Sequence, residues 1–145
     1  METLIREGRL FTSKPELELG KWLISVFGEN NIKKQSWIAR QSIDYYVKNI
    51  GVYVQLDGIY WHGLMGEKHV NAGILKTVAR DKRLNDWFNA SDKKLFRLTD
   101  AQWNEVKKQG DYSPLEQQLI VCQKGVTLFV RSIAYGQEQV DNSTD

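Results

Sequence analysis

A single cysteine, Cys122, excludes a disulfide within the chain, and two histidines with no paired cysteines leave no zinc-ligand pattern. No apolar run approaches the roughly 20 residues that cross a bilayer. The opening METLIREGRLF also lacks the long apolar stretch of a secretory signal. These absences predict a reducing, cytoplasmic setting with no membrane partner. An excess of one charge is missing too: 20 Lys and Arg stand against 18 Asp and Glu, a formal net charge of +2. Bulk charge therefore does not advertise nucleic-acid binding, and local clustering has to be read instead. There is no internal repeat, no linker, and no helix-turn-helix or zinc-finger signature. With 145 residues, 41% of them hydrophobic, the chain can build one good core but hardly two. One domain is expected over 1–135, followed by a polar, aperiodic tail over 136–145.

What is present concentrates in residues 43–63, IDYYVKNIGVYVQLDGIYWHG. Two apolar runs, Ile43 to Val47 and Val52 to Leu56, flank the turn-like Lys48-Asn49-Ile50-Gly51, which predicts a pair of strands forming a central hairpin. Alternation puts Asp44 and Tyr46 on one face of the first strand, and Tyr53, Gln55 and Asp57 together on one face of the second. Gly58 then breaks the run. If Asp44 faces the same side as Gln55 and Asp57, carboxylates and an amide converge where the strands end, an oxygen-rich set suited to one hard divalent cation. For any one of these acids alone, a solvated or turn-capping carboxylate is the commoner arrangement.

The remaining elements follow from periodicity. A helix is predicted from Pro15 to about Phe27, with Leu19, Leu23, Ile24 and Phe27 as its apolar stripe and Gly28 as its stop. Glu29 to Ser36 reads as a polar connector, and Trp37-Ile38 as a short strand or approach segment. After the hairpin, the glycines of Gly63 to His69 predict a mobile loop. Val70 to Ala90 reads as a helix with a break near Thr77 to Arg80, and Lys94 to Leu98 as a returning strand. Thr99-Asp100-Ala101-Gln102 has the form of a helix cap. Leu115 to Cys122 is expected to be helical, and Val126 to Val130 a further strand. The succession argues for an α/β fold, a mixed central sheet flanked by helices, with right-handed crossovers between parallel strands.

At Asp44 and the block Asp57-Gly58-Ile59-Tyr60-Trp61-His62 the chain resembles the PD-(D/E)XK nuclease superfamily, in particular its very short patch repair endonuclease branch and the related phage homing endonucleases called EDxHD. The resemblance covers about Ser13 to Asp100. Gly58, Tyr60, Trp61 and His62 keep the repair enzymes' pattern, whereas Asp57 stands where they carry a histidine. Val54-Gln55-Leu56-Asp57-Gly58 also resembles a Glu-x-Asp-Gly strand motif, with Gln55 in place of the acid and without the superfamily's usual lysine. The opening helix of such nucleases carries a glutamate, which Glu16 matches better than Glu18. Ser13-x-x-Glu16 is equally a capping box. The later helix, Arg80-Asp81-Lys82-Arg83, supplies Asp81 as a last acid, with Asp86 a weaker rival; helix-face charge pairing is the plainer alternative for both.

The resemblance implies a restriction-endonuclease-like core and a metal-dependent DNA endonuclease of homing or repair type, in a bacterial cell or a phage-infected host. Its catalytic set would be Glu16, Asp44, Gln55, Asp57, His62 and Asp81. Asp44, Gln55 and the carbonyl of Leu56 would hold magnesium, or manganese in its place. His62 would polarise water or protonate the leaving oxygen, although a packed, hydrogen-bonded histidine is the commoner case. His69 matches no position. Lys33, Lys34, Arg40, Arg80, Lys82 and Arg83 are candidate phosphate contacts, as are Lys76, Lys93, Lys94 and Arg97, although such charge runs are usually solvated faces. Tyr60 and Trp61 could stack on bases or pack in the core. Two other readings stay open: a nuclease-like fold that binds DNA or protein without cutting, and a module that acts as a homodimer or with a separate DNA-recognition partner.

Overall fold

The structure, a computed structural model, describes residues 13–58 and 72–130, of which 72–74 are described in backbone alone. Ser13 caps the first helix, α1 (Lys14–Phe27), its hydroxyl accepting from the Glu16 N–H at 3.3 Å, and Gly28 at φ 94° ends it. The bulky, β-rich sequence that follows builds a meander, β1 (Ile32–Ile38), β2 (Gln41–Val47) and β3 (Val52–Asp57), each strand antiparallel to the last. The expected polar connector is thus corrected: after a 3₁₀ turn at Glu29–Asn31, residues 32–36 are strand, paired along β2. Two neighbours of a forming hairpin satisfy backbone groups that a connector would leave to water.

From β3 the chain crosses over through α2 (Ala72–Asn89) to β4 (Lys94–Thr99), parallel to β3. No break interrupts α2 at Thr77 to Arg80. Thr99 and Gln102 form the reciprocal capping box that opens α3 (Asp100–Gln109); α4 (Ser113–Ile120) then leads to β5 (Gly125–Leu128), parallel to β4. The result is α/β, a mixed five-stranded sheet in the order β1-β2-β3-β4-β5 with helices on both faces.

The larger core lies under α1, α3 and α4, where Leu19, Leu23, Tyr45, Val54, Phe96, Leu98, Trp103 and Leu115 meet. The smaller lies under α2, where Leu84 and Phe88 pack on Ile43 and Leu95. Ile43 and Tyr45 are two residues apart on one strand yet serve opposite cores, which simple alternation forbids. The pairing of β1 with β2 lapses between them, at Gln35 and Asp44, and Gln35 has φ 51°. The strand is kinked at Asp44.

Candidate functional site

At that kink the side chains of β2 and β3 take over the work of the ladder. Regular pairing runs from Val47–Val52 to Tyr45–Val54 and stops. Beyond it, the Leu56 N–H donates to Asp44 Oδ2 at 2.9 Å, and the Asp44 N–H donates to Gln55 Oε1 at 3.2 Å. The strands part, and the opening is occupied by a carboxylate and an amide.

Glu16 reaches the same opening from the first turn of α1. The full capping box is not made; the Glu16 carboxylate turns to the sheet, where Oε2 accepts from Gln35 Nε2 at 3.0 Å and the acid meets Asp44. Gln35 in turn accepts from Ser42 Oγ at 2.7 Å, so its left-handed backbone is what aims its amide between helix and hairpin. Gly20 lets α1 lie this close: a Cβ there would stand 2.2 Å from the Tyr45 hydroxyl, which donates to the Glu16 carbonyl at 2.7 Å.

Two carboxyls in contact inside a partly desolvated opening resist ionisation. Burial pushes Asp44 well above the ordinary aspartate range, the adjoining Glu16 charge adds to it, and the Leu56 N–H opposes it. Burial likewise raises Glu16, against the hydrogen bonds from Asp44 and Gln35. Burial, with both acids nearby, also raises the Tyr45 hydroxyl, which keeps it a donor.

Asp57 and Asp81 meet a different fate. Arg97 of β4, 4% exposed, grips Asp57 with Nε and one terminal nitrogen, each at 3.0 Å, and reaches Asp81 Oδ1 at 3.1 Å. Its other terminal nitrogen donates to Asn85 Oδ1 at 2.5 Å. Burial works against the guanidinium charge, but the Asp57 and Asp81 carboxylates outweigh it and raise its pKa. Arg97 is therefore no surface phosphate contact. It joins β3, β4 and α2 from within.

The structure thus brings Glu16, Asp44, Gln55 and Leu56 together and sets Asp57 and Asp81 beside them on Arg97. Glu18 is engaged by Trp103 Nε1 at 3.3 Å and by Lys107, on the α3 side. Asp86 pairs in the open with Lys82. Lys33, Lys34, Arg40, Arg80, Lys82 and Arg83 are all exposed. Tyr60, Trp61, His62 and His69, the loop at 63–69 and the expected tail at 136–145 lie outside the described residues. Gln35 escaped sequence reasoning because a polar residue before a strand carries no signal of a left-handed backbone. Arg97 at the centre of LFRL was a visible one, a charge inside an apolar run.

Among the described residues, no group of three or more His, Cys, Asp or Glu side chains is placed to hold a metal. The donors at the kink are two carboxylates, an amide oxygen and main-chain groups. That fits a cation satisfied with one or two protein carboxylates, its other positions left to water and phosphate oxygens, which is how magnesium is usually held. No protein-family model matches the chain, and neither a curated protein nor a solved structure matches it. No helix among the described residues is long and apolar enough to cross a membrane.

Proposed function

We propose that the protein is a metal-dependent DNA endonuclease of the PD-(D/E)XK type, with a restriction-endonuclease-like core related to the very short patch repair and EDxHD homing enzymes. The observation that carries this reading is the Glu16–Asp44 carboxyl pair at a parting of strands, which has no cationic partner among the described residues, with Gln55 and Leu56 alongside. Ionising both carboxyls there without a counter-ion is unfavourable, so the doubly charged form is one that a divalent cation stabilises.

Asp44 and Glu16 would bind the ion, with Gln55 Oε1, which has a second lone pair, and the Leu56 carbonyl completing the protein side. The ion would supply Lewis-acid polarisation of a phosphoryl oxygen and a more acidic water. Asp44 stays oriented by the Leu56 N–H, and Glu16 by Gln35, so the pair is aimed before any ligand arrives. His62 would act as the proton-transfer group, and the exposed basic residues of β1 and α2 would hold the DNA backbone.

The test is cleavage of supercoiled plasmid and phage-type DNA in magnesium, manganese or EDTA. Cutting is expected with either metal and not in EDTA. Asp44→Ala should reduce it by more than the 10–100-fold typical of changes outside the ligand shell, with the fold retained by circular dichroism. Cleavage by that variant at the wild-type rate would sink the site. One observation favours a second reading, a nuclease fold that binds DNA or protein without cutting: Arg97 pairs with both Asp57 and Asp81, which leaves two of the four expected acids, Glu16 and Asp44, at the kink. Metal-independent DNA binding with no cutting in any metal would decide for it.

A further inference from the structure

A cleft of about 540 Å³ opens between the β1–β2 hairpin and α2, and among its lining residues are Trp37, Arg40, Ser42, Gln55, Arg80 and Asp81. Trp37 is 70% exposed on the edge strand of the sheet, paired across to Ser42, so its indole is presented to the cleft rather than spent on a core. Among the described residues neither Arg40 nor Arg80 has a carboxylate partner. Asp81, the acid on the cleft wall, is already bound by Arg97. The cleft therefore offers one aromatic face and two unmatched guanidinium groups.

Its mouth is held in an unfavourable backbone. Ile38 pairs with Gln41, leaving Ala39 and Arg40 as a two-residue hairpin turn with φ 54° and 64°. Such turns favour Asn-Gly, because both positions lie in the left-handed region that side chains with a Cβ resist. Every non-glycine residue with positive φ in the described chain, Gln35, Ala39 and Arg40, falls on this one hairpin, beside the acid pair or the cleft. Strain gathered in this way marks a site when the residues involved face a ligand. Gln41 Nε2, donating to the Arg80 carbonyl at 3.2 Å, ties the hairpin to α2 and fixes the cleft's width.

We infer that this cleft takes a single unpaired nucleotide of a DNA strand, its base stacked on Trp37 and its flanking phosphates against Arg40 and Arg80. Pockets of this volume enclose ligands of nucleotide size. Indole stacking tolerates any base, whereas a paired base inside a duplex has no free face to offer. Gln55 lines the cleft and also accepts from Asp44, so a strand lying in it runs directly to the acid pair. The inference rests on the nuclease reading for its choice of DNA.

The test is fluorescence anisotropy in EDTA with a labelled oligothymidine strand and a labelled duplex, alongside plasmid cleavage in magnesium. Trp37→Ala should weaken single-strand binding about tenfold and leave duplex binding and the salt dependence unchanged, while Trp37→Phe keeps most of the affinity. Arg40→Gln and Arg80→Gln should each flatten the salt dependence by about one phosphate contact. Because Trp37 is exposed, these variants should fold as the wild type does. Single-strand affinity unchanged in Trp37→Ala overturns the inference, and so does an equal loss for strand and duplex. If plasmid is cut while Trp37→Ala has no effect, the cleft assignment fails and the nuclease reading stands. If Trp37 governs strand binding but nothing is cut, the cleft stands and the nuclease reading fails.

Discussion

Two pairs of acids sit within one sheet's width of each other and are treated in opposite ways. Asp57 and Asp81 share a buried guanidinium, which satisfies them. Among the described residues, Glu16 and Asp44 share only each other, the Leu56 N–H and the Gln35 amide. The first arrangement is complete without a ligand: it joins a strand, its parallel neighbour and the helix that crosses between them. The second is relieved by holding protons, and losing them sets two like charges in contact. Charge balance, rather than the presence of acids, separates architecture from a candidate site here.

The comparison breaks most sharply at Arg97. Arg97→Met should cost about 3–5 kcal/mol in urea unfolding, because two carboxylates in a partly buried place lose the guanidinium they share. Adding Asp57→Asn should recover part of that loss. A loss below about 1 kcal/mol would mean that the pair is solvated and the contrast with Glu16–Asp44 unreal.

A smaller effect is expected at Gly20, which serves the other pair. An alanine gains up to about 1 kcal/mol of helix propensity, but its methyl stands against the Tyr45 ring and hydroxyl. Overpacking of this kind costs about 1–3 kcal/mol. Gly20→Ala should therefore be destabilising by about 1–2 kcal/mol. It should also displace Glu16, through the hydroxyl-to-carbonyl bond, and weaken magnesium binding by calorimetry. A variant that loses stability but binds magnesium as the wild type does would uncouple Tyr45 from the acid pair.

Much of this was legible in the chain. Local signals found α1, β3, β4 and the Thr99 cap, because capping residues and two- or four-residue periodicities act over a few positions. The convergence of Asp44 with Gln55 followed from a short hairpin, and that of Glu16 from resemblance. What stayed hidden depends on distant register or unusual backbone. Asp57 and Arg97 are 40 positions apart and meet because β3 and β4 are parallel neighbours. The kink that sends Ile43 under α2 and Tyr45 under α1 rests on a left-handed Gln35, which no period predicts. Of β1 only Trp37-Ile38 reads as a short strand or approach segment, because the rest of its face is polar on an edge, where pairing rather than burial makes the strand.

The smallest effect discriminates best. Glu16 and Asp44 hold protons more tightly folded than unfolded, so their contribution to stability is full below the ordinary carboxylate range and is lost as pH rises through their raised folded values. In EDTA the melting temperature should therefore fall between mildly acidic and mildly basic pH. Asp44→Asn keeps an oxygen for the Leu56 N–H while removing the charge, so it should flatten that slope. At neutral pH it should gain on the order of 1–2 kcal/mol, the scale of two charges in contact near a protein surface after screening. Magnesium should restore the wild type's melting temperature at high pH by binding the folded state alone, and leave Asp44→Asn where it was. Parallel pH slopes for the two proteins would show the Glu16–Asp44 pair to be as well compensated as the Asp57–Asp81 pair, and would remove the physical reason for placing a cation there.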